Sequence, residues 1–393
     1  MTDERLETAV IGGGPAGLAT AAVLKRRGIQ ATVLERSDDV GASWRKHYDR
    51  LHLHTVRWLS NLPGYRFSTR HGRWVSRDGV IAYLERYARH HDLDVRTGVE
   101  VRGLERAGDG WTLDTSTGPV QARFVVVATG YNHTPVLPDW PGRDDFAGEL
   151  IHGQDYRNPD PYRGRDVLVV GSGNTGAEIA VDLVEGGAAR VRIAIRTPPH
   201  VSLREVNGMP GQVTGLLLRH LPLRVGDAIA AGAAKLNVGD LSPYGIDKPP
   251  RGLVTRAVKD DVIPILDVGL IDMLKQGRVE VVAAVTGFDG AEVLLADGSR
   301  IKPDAVIACA GYARGLEPLV GHLGLLGHKG RPTVHAGTTH PNAPNLYFIG
   351  YTNPISGMFR EFGIDARRIA KAIARERRAA SAGAPEPAQP VAA

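Results

Sequence analysis

Cysteine is almost absent: the 393 residues contain one, Cys309. A single cysteine excludes an internal disulfide, a Cys-x-x-Cys redox pair and a cysteine-based zinc site. No apolar run approaches the ~20 residues of a membrane helix, so no integral membrane segment is expected. The opening stretch, MTDERLETAV, is charged before it turns apolar and lacks the shape of a secretory signal. The formal net charge is a modest +5, scattered along the chain. Nucleic acid is therefore not an expected partner, whereas anionic small ligands suit the balance. The 14 histidines are dispersed. They suggest no metal site, and no Ser/His/Asp triad or carboxylate pair stands out. These absences leave a cytoplasmic globular protein, with an Ala/Pro-rich tail, 381–393, that reads as disordered.

What the chain does have is glycine, 48 residues of it, and two glycine-rich stretches share one pattern. The first is LETAVIGGGPAGLATAAVLKRRGIQATVLER. Leu6–Ile11 reads as a strand, and Gly12, Gly14 and Gly17, with Pro15 and Ala16 between them, fit G-x-G-x-x-G. An Ala/Leu-rich helix follows as far as Arg27, and a second strand, Gln30–Leu34, ends at Glu35 and Arg36. Glycine permits the tight turn, lets the backbone approach a pyrophosphate and lets helix and strand pack closely. The helix N-terminus then faces the phosphates, and the acid is placed for ribose hydroxyls. This unit suits FAD.

The second stretch, RDVLVVGSGNTGAEIAVDLVEGGAARVRIAIRTPP, repeats the plan after the strand Val167–Val170. Its turn is Gly171, Ser172, Gly173, Asn174, Thr175 and Gly176. Its second strand, Val191–Ile195, ends on Arg196 and Thr197 instead of an acid. An acid would repel a 2′-phosphate, while a guanidinium pairs with it. This unit suits NADPH.

Two further strand ends complete the pattern. Phe124–Val127 runs into Ala128, Thr129 and Gly130, and Ile307–Tyr312 is a similar segment. Near the C-terminus a strand, a turn at Gly350 and a helix follow one another. The expected fold is α/β, with two Rossmann-like dinucleotide-binding domains in a glutathione-reductase-like arrangement. The FAD domain takes 1–159 and 301–380. The NADPH domain takes 160–300 and carries an apolar insert at about 200–250, helical around Gly215–Arg219 and Asp227–Leu236. That insert reads as a substrate lid, as a membrane-surface contact, or as core or homodimer packing.

Between the two turns lies FAGELIHGQDY, Phe146 to Tyr156, which fits F-x-G-x-x-x-H-x-x-x-Y. It resembles the identifying motif of flavin-containing monooxygenases. VLERSDDVGASWR resembles the family's segment after the flavin ribose acid, although Ala42 and Ser43 stand where a glycine pair is commoner. Within the family, YDRLHLH, AYLERYARHHDL and PILDVGLIDMLKQGRVEV resemble the plant auxin-synthesis, YUCCA-type branch and its bacterial relatives. The resemblance implies Trp44 and Arg45 as flavin neighbours and Val101 as a backbone contact to the adenine. It also implies the reaction. NADPH reduces FAD, reduced flavin meets O2 in a C4a-(hydro)peroxyflavin, and one oxygen atom passes to a small organic substrate. The outcome is N- or S-oxygenation or decarboxylation of a 2-oxo acid. A Baeyer–Villiger enzyme and an electron-transfer reductase are the rivals. Tyr156-Arg157 and Tyr48-Asp49 depart from the Baeyer–Villiger pattern. His54 stands where other members carry a catalytic Asn. It either replaces that residue or packs beneath the flavin.

Overall fold

The computed structural model describes residues 4–218 and 220–382. The expected disordered tail falls mainly on 383–393, outside the described residues, and Arg219 is likewise outside them.

The first sheet is built on β1 (Glu4–Ile11), followed by α1 (Pro15–Lys25), β2 (Thr32–Leu34), α2 (Arg77–His90), β3 (Asp94–Arg96), β4 (Val101–Ala107), β5 (Gly110–Thr115) and β6 (Val120–Val127). Its strand order is β3-β2-β1-β6-β5-β4, and a late strand, Leu346–Phe348, pairs with the second half of β6. Strands β1, β2, β3, β6 and Leu346–Phe348 run parallel, while β5 and β4 return antiparallel. Neighbouring side chains on β1 and β6 go to opposite faces. Val10 and Val126 meet α1, α2 and the C-terminal helix Met358–Ala382, whereas Ile11, Val125 and Val127 meet Leu113, Leu316 and Phe348. Both faces are covered over the second halves of β1 and β6, so residues 9–11 and 124–127 are apolar. Helix α1 is buried all round from Ala16 to Leu24, which explains its run of small and aliphatic residues.

The second sheet is wholly parallel. Its strands are β7 (Glu149–His152), β8 (Asp166–Val170), β9 (Arg190–Ala194), β10 (Val279–Val282) and β11 (Ala305–Ala308), in the order β10-β9-β8-β11-β7. Helix α3 (Asn174–Glu185) connects β8 to β9. The sheet takes β7 and β11 from outside the 160–300 segment expected to form this domain. The sequence Glu149-Leu-Ile-His152 does not alternate and is only partly buried until its last residue. It therefore carries the pattern of a linker, and only its pairing with β11 makes it an edge strand.

After β9 come the helices of the apolar insert, α4 (Gly211–Leu218) and α5 (Leu223–Asn237). A short parallel pair, Val201–Leu203 with Ile265–Asp267, closes the base of this insert.

Candidate active site

The first glycine turn is fixed by backbone geometry. Gly12 has φ +111°, and its N–H donates to Leu34 O at 2.8 Å. A Cβ on Gly17 would run into the carbonyl oxygen of Gly12, so the helix can lie this close only as glycine. A Cβ on Gly14 would meet nothing within 4 Å. Gly14 caps α1 without a side-chain partner and lines a cavity, which leaves the first N–H groups of the helix available to a ligand. Glu35 is buried at the end of β2. Its carboxylate accepts from the N–H of Gly13 at 2.6 Å and of Ser37 at 2.9 Å, which ties the acid to the turn.

The cavity measures about 810 Å³. One end is walled by Val99–Arg102 and the other by insert residues that include Leu218, Ile229 and Ala233. Between them Gly12, Gly14, Pro15, Ala16, Glu35, Arg36, Trp44, His54, Val101, Ala128, Thr129 and Gly130 all line it. Thr129 is held by Tyr351, whose hydroxyl contacts its Oγ1 at 2.8 Å. Burial pushes the Tyr351 hydroxyl up to about 12, so it keeps its proton and remains a donor. Trp44 is wedged edge-on between His47 and Phe359, each 5.8 Å away. Arg45 differs from its neighbours. Its guanidinium turns to Glu85 and Asp39, and it does not line the cavity. The insert supplies the cavity's apolar wall, and its outer side exposes Leu217, Leu221, Val225 and Leu236.

His54 meets the cavity beside a buried acid that sequence reasoning passed over. Its Nε2 contacts Glu178 Oε1, and Tyr48 donates its hydroxyl to Glu178 Oε2 at 3.0 Å. Burial first, and Glu178 second, raise the Tyr48 pKa well above the phenol range. One turn further along α3, Asp182 accepts from Tyr156 at 2.8 Å and from Arg50 at 3.3 Å. The available signal was two carboxylates, Glu178 and Asp182, spaced i,i+4 within the buried stretch 176–184 of the helix. Nearby His47 is driven down to about 4 by burial and by the Arg157 charge, so it stays neutral.

The second turn repeats the first. Gly171 has φ +115°, and a Cβ on Gly176 would collide with Gly171 O. Gly173 caps α3 without a side chain, is exposed, and its Cβ would meet nothing within 4 Å. Gly171, Ser172, Gly173, Asn174, Thr175, Gly176, Arg196 and Thr197 do not line the cavity. They sit together at the C-terminal ends of β8 and β9, with Arg196 and Thr197 exposed. The Asn174 amide is engaged elsewhere, accepting from Leu266 N–H at 2.7 Å and donating to Pro264 O at 3.2 Å.

The linking motif supplies β7 to the second sheet and packs beside it. Phe146 meets Phe288 at 4.9 Å, and a Cβ on Gly148 would strike the Phe146 ring at 2.6 Å. His152 contacts Gly311 O at 3.2 Å and accepts from Gln154 N–H at 3.0 Å. Burial pushes the Cys309 thiol up to about 12, against its use as a thiolate. Among the described residues no group of three or more His, Cys, Asp or Glu could hold a metal ion. No described helix is long and apolar enough to cross a membrane.

Residues 9–206 match a family described as pyridine nucleotide-disulphide oxidoreductase. The chain is 35% identical to the indole-3-pyruvate monooxygenase YUCCA1 of Oryza sativa subsp. japonica, over 89% of this chain and 88% of that one. The chain belongs to the flavin-containing monooxygenase family. Among solved structures, a flavin-containing monooxygenase from Stenotrophomonas maltophilia superimposes with a TM-score of 0.72 at 23% identity, covering 95% of this chain and 99% of that one. Cyclohexanone monooxygenase from Rhodococcus sp. Phi1, bound to NADP+, gives 0.71 at 19%, over 96% and 85%. At these identities the structural likeness speaks for the fold. The enzyme is thus an FAD-dependent NADPH monooxygenase, acting with O2 on a small molecule.

Proposed function

We propose that the substrate is a 2-oxo acid with a flat apolar side chain, of which indole-3-pyruvate is the first to try. One oxygen atom of O2 enters the product acid, the other leaves as water, and the substrate carboxyl is released as CO2. NADPH supplies the two electrons. One observation carries the reading: a single cavity joins the first glycine turn, a histidine, and the apolar wall of the insert. The name of the rice relative, an indole-3-pyruvate monooxygenase, supports it.

Bound FAD and NADPH supply the redox and oxygen chemistry. The chain's own residues bind, orient and shield. Gly12, Gly14 and the α1 N-terminus receive the pyrophosphate. Glu35 takes the ribose, because a carboxylate has lone pairs beyond the two used by Gly13 and Ser37. Trp44 and Val101 bound the flavin, and Gly173, Arg196 and Thr197 receive NADPH. His54 faces the reacting end. The insert helices keep water from it. A cytoplasmic location goes with this reading.

The test supplies indole-3-pyruvate, a tertiary amine and a thioether in parallel with NADPH, measuring oxygenated product against hydrogen peroxide. Decarboxylation of the oxo acid with little peroxide is expected. Oxygenation of the amine or thioether without turnover of the oxo acid would overturn the substrate class.

A further inference from the structure

His54 and Glu178 are 124 residues apart in sequence and come from different sheets' elements. His54 lies between β2 and α2, on the flavin side. Glu178 lies on α3, the helix that begins at the second glycine turn. Glu178 is 4% exposed, and its two oxygens have separate partners. Oε2 accepts from Tyr48, itself 2% exposed, and Oε1 faces His54 Nε2. A buried carboxylate needs such partners, since an unpaired one is expensive.

We propose that Glu178 is the positioning residue of the active site: it fixes the tautomer and orientation of His54. The argument is one of donors and acceptors. Tyr48 keeps its proton, so it donates to the carboxylate. A carboxylate only accepts, so the nitrogen facing Oε1 must carry a hydrogen. In the neutral ring that assigns the hydrogen to Nε2 and leaves Nδ1 as a bare acceptor. Among the described residues Nδ1 has no protein partner, and His54 lines the cavity. Glu178 therefore sets which face of the imidazole chemistry the reacting end meets: an acceptor while the ring is neutral, a donor once it is protonated. The other tautomer would leave the Glu178 oxygen opposite a lone pair and is disfavoured. Helix α3 also carries the nucleotide turn at Gly173, so a shift of that helix would turn His54.

This inference rests on the proposed role of His54, and the experiment separates the two. The holoenzyme is labelled with 15N-histidine and its imidazole resonances are followed by NMR above the ring's titration, with His54→Gln identifying the signal. The Nε2–H form is expected in the wild type. In Glu178→Leu, which removes the acceptor, with FAD occupancy confirming the fold, the preference for Nε2–H is expected to be lost and the peroxide-to-product ratio to rise at least tenfold. Nδ1–H in the wild type, or a tautomer unchanged by Glu178→Leu, would overturn the proposal. If Glu178→Leu fails to fold, the wild-type tautomer decides alone, Nε2–H for and Nδ1–H against. If the tautomer moves in Glu178→Leu while His54→Gln leaves the product ratio untouched, the positioning stands and the catalytic reading of His54 falls.

Discussion

Gly12–Gly17 and Gly171–Gly176 are built to one plan and end differently. In each, the first glycine has a positive φ, the third lies so close to the first that a Cβ would strike its carbonyl, and the middle one faces open space. The first turn then reaches a buried acid, Glu35, and opens into the cavity. The second reaches an exposed Arg196 and lies outside that cavity. The difference separates what holds the fold from what chooses the ligand. The outer glycines are demanded by the protein's own backbone. The middle glycines meet no protein atom, and on the proposed reading they make room for the ligand while the residue at the end of the second strand chooses the nucleotide.

The largest effects break the comparison within each turn. Gly17→Val forces a side chain against the Gly12 carbonyl and is expected to cost at least about 4 kcal/mol, with little folded protein recovered. At Gly14 an added Cβ would meet no protein atom within 4 Å, and Gly14→Val is the matching test. It is expected to fold normally by circular dichroism and to carry almost no FAD, read as the flavin-to-protein ratio after gel filtration. Full flavin occupancy in Gly14→Val would remove the first turn from the flavin site.

The same substitution in the second turn separates the two ligands. Gly173→Val should keep its yellow colour and lose NADPH binding by at least about a hundredfold, by extrapolation from blocked backbone approach. The measurement is anaerobic bleaching of the flavin against NADPH concentration. Loss of FAD from Gly173→Val would show that the turns are not independent.

Arg196→Ala is a finer test. Loss of one charge-assisted contact should weaken NADPH by roughly 1.5–3 kcal/mol, or about one to two decades, and leave NADH nearly unchanged. Equal weakening of both cofactors, compared by their dissociation constants, would make Arg196 structural.

Much of this was legible because the turns are local. Strand, turn, helix and closing residue follow one another in each case, and the glycine spacing encodes a backbone approach that no other residue allows. The cavity residues of the first turn were readable for that reason. Three features were not. Strand β7 is a short edge segment with no pattern of its own, and its partner β11 is over 150 residues away. Arg45 sits in a recognisable motif, yet its direction is set by Glu85 on α2, which the motif does not contain. Glu178 was hidden because its importance lies in its pairing with His54 and Tyr48, across two sheets. Local geometry writes itself into a sequence, whereas a contact between distant elements leaves only a polar residue on an apolar face.

The smallest effect contrasts the two regions by pH. His47, beside the first turn, is driven from 6.5 to about 4 by burial, with Arg157 and Arg77 adding repulsion and Glu178 opposing it. His200, in the insert after the second turn, is also lowered by burial, but its ring contacts Arg251 O at 2.7 Å, which favours the protonated form. A histidine lowered in the folded state binds its proton more readily in the unfolded chain. Its stabilising contribution is therefore complete above pH 6.5 and is lost as the pH falls toward 4. For His47 the loss should be roughly 1–3 kcal/mol, since its ring is largely enclosed. Urea melts of the holoenzyme between those limits should show His47→Gln losing less stability on acidification than the wild type. His200→Gln should flatten the profile less, because the Arg251 carbonyl opposes the effect of burial. A profile that His47→Gln leaves unchanged would mean that the ring takes up its proton as readily in the folded as in the unfolded chain, and that the first region is no more acid-sensitive than the second.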